Sequence, residues 1–179
     1  MSILLRVKFI KNQSILKQKG FQMSKILNQE VLFEDVNPHQ RPVISKTDPK
    51  GIITYTNSIF RALSGYSKGE MIGRPHNIVR HPDMPKVIFK NMWETLKQGK
   101  SWNGFIKNLR KDGKYYWVEA FINPIIDEDT KEILGYVSAR VKVPDDIKEY
   151  YEKFYKELRL KEQNAEKVEF NGTVLYKKN

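Results

Sequence analysis

The 179-residue sequence contains no cysteine. That absence excludes disulfides, thiolate metal sites and cysteine nucleophiles together, and it fits a reducing compartment. Histidine is scarce too, with three in all. They are too scattered for a metal cluster or a nucleophile–base–acid constellation, and there is no Gly-x-Ser-x-Gly elbow. The expectation is a protein that is not an enzyme. No apolar run reaches the ~18–20 residues that span a bilayer. The apolar start Ile3–Ile10 is broken by Arg6 and Lys8 and has no small-residue cleavage site, so it is a poor signal peptide. Acid is missing from residues 1–22, which carry Arg6, Lys8, Lys11, Lys17 and Lys19. These five account for nearly half of the net charge of +11. No dense basic cluster follows and both signs alternate, so a solvated basic surface is expected and no nucleic-acid site.

Hydrophobic residues make up 40% of the chain and charged residues 30%, the balance of one soluble globular domain with flanking segments. Residues 1–41 read as an N-terminal extension ending in the breaker-rich Asn37-Pro38-His39-Gln40-Arg41-Pro42. Within it, Met23-Ser24-Lys25 reads as an ordinary cytosolic start, so translation is expected to begin at Met23; a short amphipathic membrane-surface helix is the alternative. From Val43 the β-branched runs Val43–Thr47 and Ile52–Thr56 flank Asp48-Pro49-Lys50-Gly51, a hairpin signature. Asn57 is placed to cap a short helix closed by Gly65, and Ser67–Met71 forms another turn before Gly73. Asp83 is placed to cap a longer helix, with Pro85 in its first turn and Phe89, Met92, Trp93 and Leu96 at helical spacing. Three strands are expected next: Trp102–Arg110, Lys114–Asn123 stopped by Pro124, and Ile133–Val143, the first two joined through Asp112-Gly113. The fold class is α+β, an antiparallel sheet with short helices on one face.

After Pro144, Asp146 and Glu149 form a capping-box variant, and Ile147, Tyr151, Phe154 and Leu158 make an amphipathic stripe. Val168-Glu169-Phe170 and Thr173–Tyr176 flank Asn171-Gly172, a compact hairpin. The domain reading is thus 1–41 extension, 42–144 core domain, and 145–179 flanking helix with a C-terminal hairpin.

The order of elements resembles a PAS domain, and its motifs narrow the match. Asn77-Ile78-Val79-Arg80-His81-Pro82-Asp83-Met84-Pro85, Trp93, Trp102–Gly113 and Tyr116-Trp117-Val118 resemble the FAD-binding PAS domain of aerotaxis receptors. The resemblance covers roughly residues 42–145. It implies a five-stranded antiparallel PAS sheet and a pocket for FAD. With no membrane segment and no chemoreceptor signalling domain in the sequence, the chain looks like the stand-alone sensory half of a bipartite energy-taxis receptor.

A flavin needs a flat apolar slot, hydrogen-bonding groups for the ring edge and, for FAD, a cation near the pyrophosphate. Arg80 offers a fixed fork for phosphate or carboxylate. His81 is a donor to ring or phosphate, and Asp83 is either part of the site or only a helix cap. Trp102 lies along the ring system or is a core tryptophan. Strand alternation puts Trp102, Ile106 and Asn108 on one face and Lys107 on the other. A core-facing Asn108 needs a partner, because an unsatisfied buried amide costs ~1–3 kcal/mol. Asn57 matches the family, and helix capping explains it equally well. Trp93 reads as core, and Trp117 as directed toward a flanking helix or partner. Haem, with His76 or His81 as axial ligand, and a cofactor-free docking module are the alternatives.

The expected mechanism is a redox switch in which a bound flavin biases a flanking helix between two positions. Without cysteine, no flavin–thiol adduct forms. The expected partner is a membrane-bound chemoreceptor-type signalling protein, with homodimerisation as a simpler addition. The expected location is the cytoplasm, at the inner face of the membrane through that partner.

Overall fold

The computed structural model describes residues 29–175; the proposed start at Met23 lies outside the described residues. After one helical turn, α1 (Phe33–Val36), the chain forms the hairpin β1 (Val43–Thr47) and β2 (Ile53–Thr56). Asp48 shapes the turn between them. Its Oδ1 accepts from the amides of Lys50 at 2.9 Å and Ile52 at 2.8 Å, and Gly51 takes a φ of 81°. Aspartate mimics a turn of backbone there, and glycine adopts the positive φ without a Cβ clash. Two short helices follow, α2 (Ser58–Ser64) and α3 (Lys68–Met71), then a 3₁₀ turn at His76–Val79 and the longer α4 (Lys86–Lys97). Asn57 caps α2 as expected, its Oδ1 accepting from Phe60 N at 2.9 Å.

The start of α4 departs from expectation. Pro85 occupies the cap position and Asp83 does not cap. The first amides of α4 instead donate to the Glu162 carboxylate, Lys86 N at 3.1 Å and Val87 N at 3.0 Å. A carboxylate from far along the chain satisfies the orphan N–H groups and complements the helix dipole.

Strands β3 (Trp102–Leu109), β4 (Tyr115–Ile126) and β5 (Ile133–Val141) complete a five-stranded antiparallel sheet in the order β2-β1-β5-β4-β3. The register sets Ser45 opposite Ser138, Ser138 opposite Ile122, and Ile122 opposite Trp102. β4 runs past Pro124 instead of stopping there. Beyond Ile122 it has no β3 neighbour, and an edge position tolerates a residue without an N–H. The core lies between the inner face of the sheet and the short helices, with Phe60, Leu63, Met71, Val87 and Ile88 packed against Tyr116 and Val118.

The outer face is covered by a helix, α5 (Asp145–Gln163). Side chains alternate across a strand, so Phe105, Lys107, Tyr115 and Trp117 face out where Ile106, Asn108, Tyr116 and Val118 face in. Tyr151 packs on Phe105 with ring centroids 4.4 Å apart, and Tyr155 stacks on Trp117 at 6.0 Å. The Tyr155 hydroxyl donates to Phe105 O at 2.8 Å. Much of the apolar stripe is therefore used within the chain: Leu158 is buried and Phe154 meets Phe170. The expected Asp146–Glu149 capping box is absent, and Pro144 sits at the cap position. Asp145 and Asp146 still place acid in the first turn, where the helix dipole favours it.

The last hairpin, β6 (Val168–Phe170) and β7 (Thr173–Leu175), turns at Asn171 and Gly172, both at positive φ. It lands on α4. Lys90 Nζ donates to Val174 O at 2.6 Å, and Asn91 Nδ2 to Thr173 Oγ1 at 3.1 Å. Residues 145–175 thus pass from one face of the sheet to the other and clasp α4 from behind.

Candidate functional site

Between α4 and the inner face of the sheet lies a cavity of about 340 Å³. That is the lower range of pockets that enclose most of a small ligand. Its apolar walls come from two layers. α4 contributes Phe89, Met92, Trp93 and Leu96 at 3-1-3 spacing, and the strands contribute Ile106, Ile122 and Tyr136. Trp93 stands edge-on to Tyr136 with centroids 5.4 Å apart. Its ring also lies against Gly51, where a Cβ would meet it at 3.1 Å. The turn glycine therefore gives the indole room as well as shaping the hairpin.

The polar lining comes from the inward positions of β1, β3 and β5. Thr47 Oγ1 and Ser138 Oγ are both buried without a hydrogen-bond partner among the described residues. Buried hydroxyls are nearly always satisfied, so two orphans in one cavity wall point to hydrogen bonds with a ligand or water. Asn108 brings its amide to the same wall, and Lys50 and Arg80 add cations. Arg80 is held by its backbone bridge to Asn108, and its guanidinium carbon lies 4.1 Å from the Phe89 ring centroid. Burial lowers its pKa, with Glu162 acting in the opposite sense.

Deeper in the cavity, Arg140 is only 3% exposed. Both of its terminal nitrogens donate to Ser45 Oγ at 3.1 Å, and Nη2 donates to His76 Nε2 at 2.9 Å. His76 stacks on Phe60 at 5.6 Å, and Arg140 lies 4.8 Å above the same ring. Burial, then the Arg140 charge, press the His76 pKa down to about 3, so the imidazole is neutral. With Nε2 accepting, its proton sits on Nδ1. Desolvation lowers Arg140 to about 10, so it stays charged at neutral pH.

Of the residues singled out in the sequence, Arg80 and Asn108 line this cavity. The structure places the other four elsewhere. Asn57 is spent on the backbone: besides capping α2 it accepts from Ile44 N at 3.2 Å and donates to Pro42 O at 2.8 Å. His81 is buried against the edge of Tyr115 at 5.7 Å, and its Nδ1 accepts from Asp83 N at 3.1 Å. Asp83 is 60% exposed and pairs with Lys107 Nζ at 3.3 Å. Trp102 folds over Gly104 and donates its indole N–H to Asn91 Oδ1 at 2.9 Å, so it braces α4 and the C-terminal hairpin. Trp93, read as core, takes the place expected for Trp102. Trp117 does face the flanking helix. Ser45, Thr47, His76, Ser138 and Arg140 were not anticipated as a group. The signal available was Tyr136, Ser138 and Arg140 at every second position of a strand, which sets a serine and an arginine inward.

Comparison with known proteins agrees with the geometry. The family described as PAS fold matches residues 53–140. The aerotaxis receptor of Escherichia coli is 46% identical over 116 residues, which is 65% of this chain and 22% of the receptor. The nitrogen fixation regulatory protein of Klebsiella pneumoniae is 33% identical over 84 residues, 47% of this chain and 17% of that protein. The chain thus spans about a fifth of the length of these relatives. Among solved structures, a PAS domain from Colwellia psychrerythraea is 28% identical with a TM-score of 0.52, covering 72% of this chain and 97% of the other. A light-oxygen-voltage domain studied with a flavin analogue is 25% identical with a TM-score of 0.53, covering 73% and 92%. The five-stranded sheet and the helices that close its inner face have the PAS fold, and this part of the chain is similar to regions of bacterial signalling proteins.

Proposed function

We propose that this protein is a sensory module, without enzymatic activity, whose cavity holds the isoalloxazine ring of FAD and whose flanking helix reports the state of that site to a signalling partner. The observation that carries the reading is the cavity wall: two aromatic-lined layers with orphaned hydroxyls at Thr47 and Ser138 along one side. A flat, largely apolar ring with a polar edge matches that lining. The identity with the aerotaxis receptor and the likeness to a light-oxygen-voltage domain studied with a flavin analogue support the same assignment. The haem alternative is disfavoured at His76, because its Nε2 already accepts from a guanidinium.

When bound, a flavin supplies a ring whose charge and hydrogen bonding change with redox state. The chain's own residues divide the remaining tasks. Phe89, Trp93, Ile106 and Ile122 would hold the ring and exclude water, while Thr47, Asn108 and Ser138 would meet its polar edge. Arg80 and Lys50 are the cations available to a pyrophosphate. The segment carrying Arg80 is also tied to α5. Lys107 Nζ bridges Asp83 at 3.3 Å and Glu152 at 3.4 Å, and Glu162 caps α4. A shift of Arg80 toward or away from a ligand therefore loads contacts that α5 depends on, which is how one site biases a distant element.

The partner we infer is a membrane-bound chemoreceptor-type protein, with a second copy of the chain as an additional contact, and the location is the cytoplasmic face of the membrane. Among the described residues no helix is long and apolar enough to cross a membrane. On α5, Tyr150 at 62% and Leu160 at 50% exposure remain available to such a partner.

An absorption spectrum of the purified protein, followed by heat release and chromatography, tests the cofactor. The expected result is the twin flavin bands and released FAD. A Soret band, or no chromophore after reconstitution with FAD, overturns the reading.

A further inference from the structure

Arg140 is a buried charge, 3% exposed, to which no carboxylate is paired among the described residues. Its hydrogen-bond partners are a serine hydroxyl and a neutral imidazole, and among the described residues no aspartate or glutamate lines the cavity. The other cations of the lining, Lys50 and Arg80, share its sign. Burying an ionised group in a dry interior is costly unless it is paired, and buried charges are accordingly paired or ligand-bound. The same chain shows the usual solution on the other face of the sheet, where buried Lys107 has two carboxylates.

The surrounding residues hold Arg140 in place and keep it unneutralised. Ser45 and His76 fix the fork from β1 and from the 3₁₀ turn, and Phe60 backs its face. Opposite Arg140 on β4 stands Ala120, which adds no competing polar group. The hydroxyl of Ser138, one inward position before Arg140 on β5, has no partner among the described residues. Fork and orphan hydroxyl together form a donor-rich corner opening on the cavity.

We propose that Arg140, positioned by Ser45 and His76, is an anion-receiving station that takes one negatively charged, oxygen-bearing group of the ligand and so selects the charge state in which the ligand binds. The proposal rests on the flavin reading for the identity of the ligand but not for the existence of the station. For FAD, the group of that chemistry on the ring is its pyrimidine edge, which is more negative in the reduced cofactor. A small carboxylate or free phosphate is the other source of the same chemistry.

The test uses the full chain stripped of any chromophore, as wild type, Arg140→Met and Arg140→Lys. Thermal unfolding without ligand is expected to show Arg140→Met at least as stable as wild type, because it removes an uncompensated buried charge. Dissociation constants are then measured for oxidised FAD and for FAD reduced anaerobically with dithionite. Arg140→Met is expected to weaken reduced FAD at least tenfold more than oxidised FAD, and Arg140→Lys to restore most of that difference. Equal weakening of both forms, or no weakening, overturns the station. If wild type binds no FAD, the flavin reading fails separately, and citrate and inorganic phosphate become the probes. An anion that raises the unfolding temperature of wild type but not of Arg140→Met supports the station, and the absence of any such anion overturns it.

Discussion

Two buried cations on opposite faces of one sheet show how differently the two faces are built. Lys107 faces out, is 7% exposed, and is answered by Asp83, Glu152 and the Tyr115 ring 4.1 Å away. Arg140 faces in, is 3% exposed, and is answered by a serine, a neutral histidine and the Phe60 ring 4.8 Å away, but by no described carboxylate. The cost of desolvating a charge is the same physical problem in both places. On the outer face the chain solves it, with the help of α5. On the inner face the described residues supply no carboxylate. The outer face thus pairs its buried cation within the chain, and on the inner face no described carboxylate does so.

The largest expected effect comes from unseating the helix that completes the outer face. Leu158 is 5% exposed in the layer under α5. Leu158→Ala is expected to cost about 2–5 kcal/mol in denaturant unfolding, the range for a leucine cavity. If the midpoint hardly moves, α5 is not an integral layer and the contrast between the faces weakens. The corner around Arg140 is the next target. His76 has its folded pKa pressed from 6.5 down to about 3. Its unfolded form therefore binds a proton that the folded form refuses, and stability falls as pH drops from about 6.5 toward 3. Replacing His76 with Gln keeps a hydrogen-bond acceptor for Arg140 and removes this proton. The stability difference between wild type and His76→Gln should therefore shift against wild type, by up to one proton's linkage, across that window. A difference that stays constant with pH would mean His76 titrates normally.

The smallest effect is expected at Lys107, although it is nearly as buried as Arg140. Its carboxylates are largely open to solvent, with Asp83 at 60% and Glu152 at 43% side-chain exposure. They rehydrate when the lysine is removed, so screening limits the loss for Lys107→Met to about 1 kcal/mol. A double-mutant cycle with Glu152→Gln measures the coupling directly. A coupling of several kcal/mol would show that the outer triad is as dry as the inner corner.

Local chemistry was readable before the fold was known. Asp48 and Gly51 shape the first hairpin, Asn57 and Gly65 bound α2, and Asn171-Gly172 turns the last hairpin. Each of these depends on contacts within a few residues, which is the range that a sequence displays. The site was only half readable. Asn108 was placed inward by strand alternation, and Arg80 came from a family motif. Pattern assigned Trp93 to the core and left Trp102 between the ring and the core, since both are aromatic residues on inward stripes. Their roles follow from Gly51, which makes space for one, and Asn91, which accepts a hydrogen bond from the other.

By itself the sequence determined the set of elements, their alternation and their turns, because backbone dihedral preferences and hydrophobic period act over one turn or one strand. The tertiary structure alone decided that Glu162 caps a helix beginning at Lys86 and that Arg140, Ser45 and His76 meet in one corner. These partners lie 76, 95 and 64 residues apart. Nothing local distinguishes a glutamate that caps a remote helix from one on a solvated face. Only the sheet register and the path of α5 around its edge bring such groups within hydrogen-bond reach.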